Sequence, residues 1–174
     1  MSEWLTVYCT RPVAHLGAAD LLAFLRAADL HTAAEGFGID DESIVDAALA
    51  RLRVTETAGD GVASNAPRFR VRYTDSETAD VRVHVWPDPA GVRTECDEAL
   101  EELDEDFGPA LAVRSHLART VEVVGVELPW AAAEMGFLLA VQCADYFARA
   151  GDGLLHDPDD VWWAVSGGVL SPLE

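Results

Sequence analysis

Lysine is absent from this sequence: all 12 basic residues are arginines, against 31 acidic residues, for a formal charge of -19. Schiff-base enzymes, Walker A nucleotide-binding loops and protein-kinase cores each depend on a lysine. The sequence therefore excludes those three classes of protein. Its acidity also argues against binding to nucleic-acid phosphates or to anionic lipid surfaces, since both require basic patches.

Cysteine and long apolar runs are also scarce. Cys9, Cys96 and Cys143 are odd in number, far apart and in no C-x-x-C motif, which argues against a disulfide framework and against zinc. The longest apolar stretch, 130–141, is interrupted by Glu134 and falls short of the roughly 20 residues that a membrane span needs. No basic n-region of a secretory signal is visible. We therefore expect a cytoplasmic protein with no membrane or nucleic-acid partner, no metal and no cofactor.

The remaining pattern predicts a single α+β domain. Half of the 174 residues are apolar, which is enough to form a core. Alternating apolar and polar residues predict strands, and apolar residues at helical spacing predict helices. The predicted strands cover 4–10, 69–73, 81–85 and 121–128, and the predicted helices cover 18–35, 40–52, 94–107 and 130–150. A final hairpin is predicted around the turn at 157–160.

This order matches a ferredoxin-like β-α-β-β-α-β sandwich over residues 1–128, with the first helix split in two. Residues 129–174 would then add a helix and a β-hairpin to the same domain. Thr94 with Asp97 resembles a capping box, which would open the acidic helix at Thr94.

The densest charge in the chain lies in that helix, where eight of the twelve residues 95–106 are acidic and none is basic. On a helical wheel the apolar residues share one arc and the acids lie outside it, as in an ordinary solvated helix face. Four acid pairs at i,i+4 spacing nevertheless repel each other, each costing about 0.2–0.5 kcal/mol. Acids at the helix C-terminus also oppose the helix dipole. This cost favours a surface that binds a basic protein partner.

A second acidic cluster, Asp157-Pro158-Asp159-Asp160, follows His156. Asp and Pro are common turn residues, and the register of an EF-hand loop is missing, so a turn is preferred over a cation site. Both clusters can contact a basic partner. The predicted partner-binding residues are Glu98, Glu101, Glu102, Glu105, Asp157, Asp159 and Asp160.

One basic stripe lies on the polar side of two predicted strands. It consists of Arg68, Arg70, Arg72 and Arg82, and pairing with acids of this chain is preferred over binding an anion. The candidate anion-binding residues are Arg70, Arg72, Arg82 and His84. No catalytic motif accompanies the stripe: the histidines lack metal-binding spacing, Ser166 lacks a nucleophile elbow, and Gly36-Phe37-Gly38 lacks the third glycine of a dinucleotide fingerprint. Cys9 is predicted to be a buried strand residue and only secondarily a nucleophile.

Three functions remain open. The preferred one is a non-enzymatic acidic interaction module, such as an inhibitor, an immunity-type protein or a regulator. The second is a small enzyme or anion-binding protein that uses the arginine stripe, His84 and Cys9. The third is a housekeeping domain with a salt-adapted surface, which predicts evenly spread acids and stability that rises with salt.

Overall fold

A computed structural model describes residues 3–57, 66–104, 106, 108–129, 131–166 and 168–173. Within these ranges the chain alternates helices and strands, which confirms the mixed α+β class. The helices are α1 (Ala18–Ala27), α2 (Leu30–Gly36), α3 (Glu42–Arg51), α4 (Pro89–Glu102), α5 (Ala110–Leu117) and α6 (Glu134–Gly151). The strands are β1 (Glu3–Cys9), β2 (Arg53–Glu56), β3 (Phe69–Arg72), β4 (Val81–Trp86), β5 (Glu122–Leu128), β6 (Gly153–His156), β7 (Trp162–Ser166) and β8 (Val169–Pro172).

All eight strands form one sheet in the order β2-β3-β4-β5-β1-β6-β7-β8, and each neighbouring pair is antiparallel. The first strand lies inside the sheet because β5 pairs with one of its edges and β6 with the other. This order is more elaborate than the predicted ferredoxin-like sandwich, and that specific topology is not confirmed. Strand β6, from the predicted C-terminal extension, pairs directly with β1.

The two faces of the sheet are covered differently. On one face the buried valines of β1, β3, β4 and β5 pack under α1, α2, α3 and the long helix α6 in the larger core. On the other face, α4 and α5 pack over Tyr8, Val123, Leu154 and Trp162 in a smaller core. We call these four residues and their surroundings the covered half-face.

The rest of that second face lies on β2, β3, β4 and the adjoining ends of β5 and β1. Strand register places one row of side chains across it, and these are exposed or half-buried: Thr55, Arg70, Arg82, Glu127 and Trp4. Arg53 and Arg72 lie opposite each other beside this row. We call these seven residues the open half-face, since the smaller core under α4 and α5 contains none of them.

The acidic helix differs from its prediction at both ends. It begins at Pro89, and Asp88 caps it by accepting a hydrogen bond from the Gly91 N–H at 2.8 Å. The predicted start at Thr94 is wrong: this hydroxyl donates to the Ala90 carbonyl inside the helix, at 3.1 Å. The helix ends at Glu102, so Glu102 and Asp106 are not a helical pair. The predicted pair Glu101–Glu105 lies partly outside the described residues.

Two strands and one helix were not predicted, and the single helix predicted over 18–35 is wrong: it is two helices, α1 and α2, because Asp29 caps a new helix by accepting the Thr32 N–H at 3.2 Å. Strands β2 and β8 form the two edges of the sheet, and α5 follows the acidic helix as a separate element. The predicted hairpin at the aspartate turn is confirmed as β6 and β7. None of the described helices is both long and apolar enough to span a membrane.

Candidate functional site

The two acidic clusters meet at one cavity of about 240 Å³ between the end of α4 and the β6–β7 hairpin. We call this cavity the acidic pocket. Its lining residues are Ala99, Glu102, Leu103, Asp104, Asp106, His156, Asp160 and Trp162. Four of the eight carry carboxylates, and no arginine is among them.

The hairpin side of the pocket is held by the side chain of Asp157. One of its carboxylate oxygens accepts hydrogen bonds from the N–H groups of Asp159 and Val161, each at 2.9 Å. The other accepts from the Trp163 indole N–H at 2.7 Å. These three bonds give Asp157 a structural role in the turn, and its contact with a partner stays a prediction.

This turn fixes Asp160 in the pocket. Its φ of 66° lies in the left-handed region, which aspartate tolerates better than most residues. Its carboxylate is 2.9 Å from Nε2 of His156, whose ring stacks on Trp162 with centroids 4.2 Å apart. The pocket therefore has an aromatic wall from Trp162 and His156 and a fixed carboxylate on its rim.

The α4 side of the pocket is built from the last helical turn and the residues after it. Glu102 lies in that turn, and the carboxylate of Asp104 accepts the N–H of Asp106 at 2.9 Å. Three acids of α4 also affect Tyr8, a residue of β1 in the smaller core. Burial raises the pKa of Tyr8, and the charges of Glu95, Glu102 and Glu98 raise it further.

The predicted partner-binding residues are thus distributed over several positions. Glu102 and Asp160 line the pocket, whereas Glu98, Glu101 and Asp159 are exposed outside its lining. Glu105 lies outside the described residues. The sequence places His156 and Trp162 beside the aspartate turn but not near α4, because their proximity to α4 depends on how β6 and β7 join the sheet. Among the described residues, no group of three or more His, Cys, Asp or Glu side chains is placed to hold a metal ion.

A second acidic cavity, also of about 240 Å³, lies beside α2 and α3. Its lining residues are His31, Glu35, Ile39, Asp40, Glu42 and Val45. It has three carboxylates and no tryptophan, so it resembles the acidic pocket in size and charge but lacks its aromatic wall.

On the open half-face, the predicted anion-binding residues have separate environments. The guanidinium of Arg72 donates two hydrogen bonds to the buried carboxylate of Asp80, at 3.1 and 3.0 Å, and contacts Glu77 at 3.0 Å. These carboxylates raise the pKa of Arg72. Arg72 is therefore paired with acids of its own chain and is not available to bind an anion.

Arg82 and His84 share Glu127. Nη1 of Arg82 donates to one Glu127 oxygen at 3.2 Å, and Nε2 of His84 is 3.4 Å from the other. Burial lowers the pKa of His84 despite Glu127, and the positive charges of Arg82 and Arg70 lower it further.

Two tryptophans enclose His84. The ring centroids of Trp4 and Trp86 lie 5.0 and 5.7 Å from that of His84. Both tryptophans lie over Gly125 of β5, where an added Cβ would come within 2.6 Å of Trp86 and 3.0 Å of Trp4. The absence of a side chain at Gly125 allows this aromatic cluster to form.

Cys9 lies on the opposite face of the sheet from His84. Its side chain packs against Gly151 and Phe147 in the larger core, and its neighbour in the alternation, Tyr8, points to the other face. Burial and Glu122 raise the pKa of Cys9 to about 12, which keeps it a thiol at neutral pH. The hypothesis that joined Cys9 and His84 in one catalytic site is therefore wrong.

Comparison of the chain with protein-family models, with curated proteins and with solved structures gives no match.

Proposed function

We propose that this protein is a non-enzymatic interaction module that binds a basic protein partner at the acidic pocket. The observation that carries this proposal is the meeting of two acidic segments, more than 50 residues apart in sequence, around one concave site. An inhibitor, an immunity-type protein and a regulator are all consistent with such a site.

The chemistry of the pocket favours the side chain of an arginine or lysine. Glu102, Asp104, Asp106 and Asp160 supply carboxylates to a guanidinium or ammonium group, which forms its strongest hydrogen bonds with ionised acceptors. Ala99 and Leu103 supply apolar contacts for the methylene groups of the same side chain. Electrostatic complementarity of this kind mainly accelerates association and selects the partner.

The distribution of charge supports binding over simple adaptation to salt. A salt-adapted surface is predicted to spread its acids evenly. Four carboxylates surround one cavity here, while four arginines share the sheet beyond it: Arg53, Arg70, Arg72 and Arg82.

Affinity capture from the native lysate tests the proposal with a matched pair of variants. The pocket variant carries Glu102→Gln, Asp104→Asn, Asp106→Asn and Asp160→Asn. The control variant removes four acids at and near the second cavity, by Glu35→Gln, Asp40→Asn, Glu42→Gln and Asp46→Asn. Both variants change the net charge equally, so a difference between them depends on position.

We expect the wild type and the control variant to capture the same basic protein at about 0.1 M salt and to release it near 1 M, where the Debye length falls to about 3 Å. The pocket variant should not capture it. Equal capture by all three proteins, or capture that is independent of salt, would contradict the proposal. Equal loss in both variants would contradict it too, since net charge alone would then account for binding.

A further inference from the structure

Two arginines face each other on neighbouring strands of the open half-face. The Cα atoms of Arg70 on β3 and Arg82 on β4 are direct partners in the antiparallel ladder. Side chains in such positions leave the sheet about 4.5–5.5 Å apart at Cβ, and like charges placed there destabilise the pair. Both charges also act on one group, since each lowers the pKa of His84.

The described residues satisfy this pair only in part. The side chain of Arg70 forms no ion pair or hydrogen bond with any of them. Arg82 has five N–H donors and gives one hydrogen bond, to Glu127, while its Nε is buried with no acceptor in the described structure. Native proteins satisfy nearly all such buried donors, so the described protein groups do not fully pair Arg82, and its side chain is 31% exposed on the open half-face.

Arg72, on the same strand as Arg70, has the carboxylate partners that Arg70 lacks among the described residues. Arg72 is two residues from Arg70 and is held by Asp80 and Glu77. This chain has 31 acids with which to pair its 12 arginines. One carboxylate, Glu127, nevertheless contacts both Arg82 and His84. The local charge beside Arg70 therefore remains positive.

We propose that Arg70 and Arg82 together bind a small oxyanion, a carboxylate or a phosphate, on the open half-face. The two guanidinium groups supply parallel N–H donors, which suit the geometry of either anion. Trp4, which is 36% exposed and packs against His84, borders the site on its β1 side. This site is separate from the acidic pocket and selects the opposite charge, so it goes beyond the proposed interaction with a basic partner.

Titration calorimetry with inorganic phosphate and with acetate tests this proposal, with sodium chloride used to hold the ionic strength constant. The wild type should bind at least one of the two anions at a single site. Arg70→Gln should weaken that binding about tenfold or more, because it removes a charge-assisted hydrogen bond, and such bonds are among the strongest in proteins. Arg70→Lys keeps the charge but loses the planar guanidinium group. Its affinity for the anion should lie between those of the wild type and Arg70→Gln.

Arg26→Gln is the matched control, because Arg26 is an exposed arginine of α1, a helix that packs on the other face of the sheet. It should bind as the wild type does. The proposal is overturned if neither anion binds the wild type, or if Arg70→Gln and Arg26→Gln give the same affinity. Circular dichroism of each variant establishes that it is folded before titration. If Arg70→Gln does not fold, Arg70→Lys provides the comparison, and unchanged affinity in that variant overturns the proposal.

Discussion

The covered and open half-faces lie side by side on one sheet, but helices bury the first and leave the second partly exposed to solvent. The covered half-face buries Tyr8, Leu154 and Trp162 under α4 and α5, and it places its acids around the rim. The open half-face keeps its arginines and Trp4 partly in solvent. The net charge of -19 therefore describes neither region: one is an acidic rim over an apolar core, and the other is a basic strip.

The largest expected effect is on the free energy of unfolding, and it differs between a buried tryptophan of the covered half-face and a partly exposed one of the open half-face. Trp162→Ala should lower the free energy of unfolding by about 3–5 kcal/mol, because Trp162 is 3% exposed and its removal leaves a cavity in the smaller core. Trp4→Ala should cost only about 1 kcal/mol, since the Trp4 side chain is 36% exposed. Urea denaturation of both variants measures the difference. Equal losses would mean that the open half-face is as dependent on aromatic packing as the covered one.

The second prediction concerns Gly125, where the two half-faces meet. Gly125→Ala should cost about 1–3 kcal/mol, because the new Cβ would overlap Trp86 and push on Trp4. It should also change the near-ultraviolet circular dichroism of the tryptophans. Gly36→Ala is the control: apart from its chain neighbours and its own helix backbone, no atom of the described residues lies within 4 Å of its added Cβ, and stability should stay the same or rise slightly. A stable Gly125→Ala variant with an unchanged aromatic spectrum would contradict the observed cluster.

The sequence predicted what depends on local periodicity. The alternation of Val81, Val83 and Val85 identified β4, and the aspartate turn identified the hairpin of β6 and β7. It did not reveal β2, whose four residues Arg53–Glu56 are mostly exposed at an edge and lack an apolar alternation. The end of α4 was missed because the acids continue past Glu102 without a glycine or proline to stop the helix before Gly108.

For the acidic pocket and the arginine stripe, the sequence predicted the types of residue that take part but not how they are arranged. The two acidic clusters were recognised separately, but their meeting depends on β6 pairing with β1 and on α4 packing over the same region. The arginine stripe was recognised as one unit. The ion pairs of Arg72 depend on Asp80, a carboxylate that is 1% exposed and that the sequence does not distinguish from other acids, whereas Arg70 has no ion-pair partner among the described residues.

A smaller effect is expected from pH, and it compares His116 on α5, the helix over the covered half-face, with His84 on β4, beside the open half-face. Burial lowers the pKa of His116 on α5, whose Nε2 is 2.7 Å from the Tyr8 carbonyl, and burial likewise lowers the pKa of His84. A base with a lower pKa in the folded state binds fewer protons there than in the unfolded chain. Stability from both groups is therefore present above about pH 6.5 and is lost as the pH falls below it.

His116→Gln and His84→Gln should each make stability depend less on pH between about pH 7 and pH 5 than in the wild type. Urea denaturation across this range measures the slope. The many carboxylates contribute to the wild-type slope as well, so the comparison is the difference between variant and wild type. If the His116→Gln slope equals that of the wild type, the neutral, buried state of His116 is contradicted.

The smallest expected effect concerns the acids that make the pocket. Glu98 and Glu102 are a like-charge i,i+4 pair in α4, and Glu102 lies at the unfavourable end of the helix dipole. Glu102→Gln should therefore raise the free energy of unfolding by about 0.2–0.5 kcal/mol at low salt. This gain should disappear near 1 M salt, since screening removes the repulsion.

Asp97→Asn in the same helix is the matched control for this gain. It removes the repulsion between Asp97 and Glu101 but also the 3.3 Å ion pair with Arg93, so the two changes should cancel. A gain in stability for Glu102→Gln alone, together with loss of partner capture by the pocket variant, would mean that the pocket keeps a destabilising charge because binding requires it. A loss of stability, or a gain that salt does not reduce, would instead mean that Glu102 stabilises the fold, and charge repulsion in α4 would no longer support a binding role for the acidic pocket.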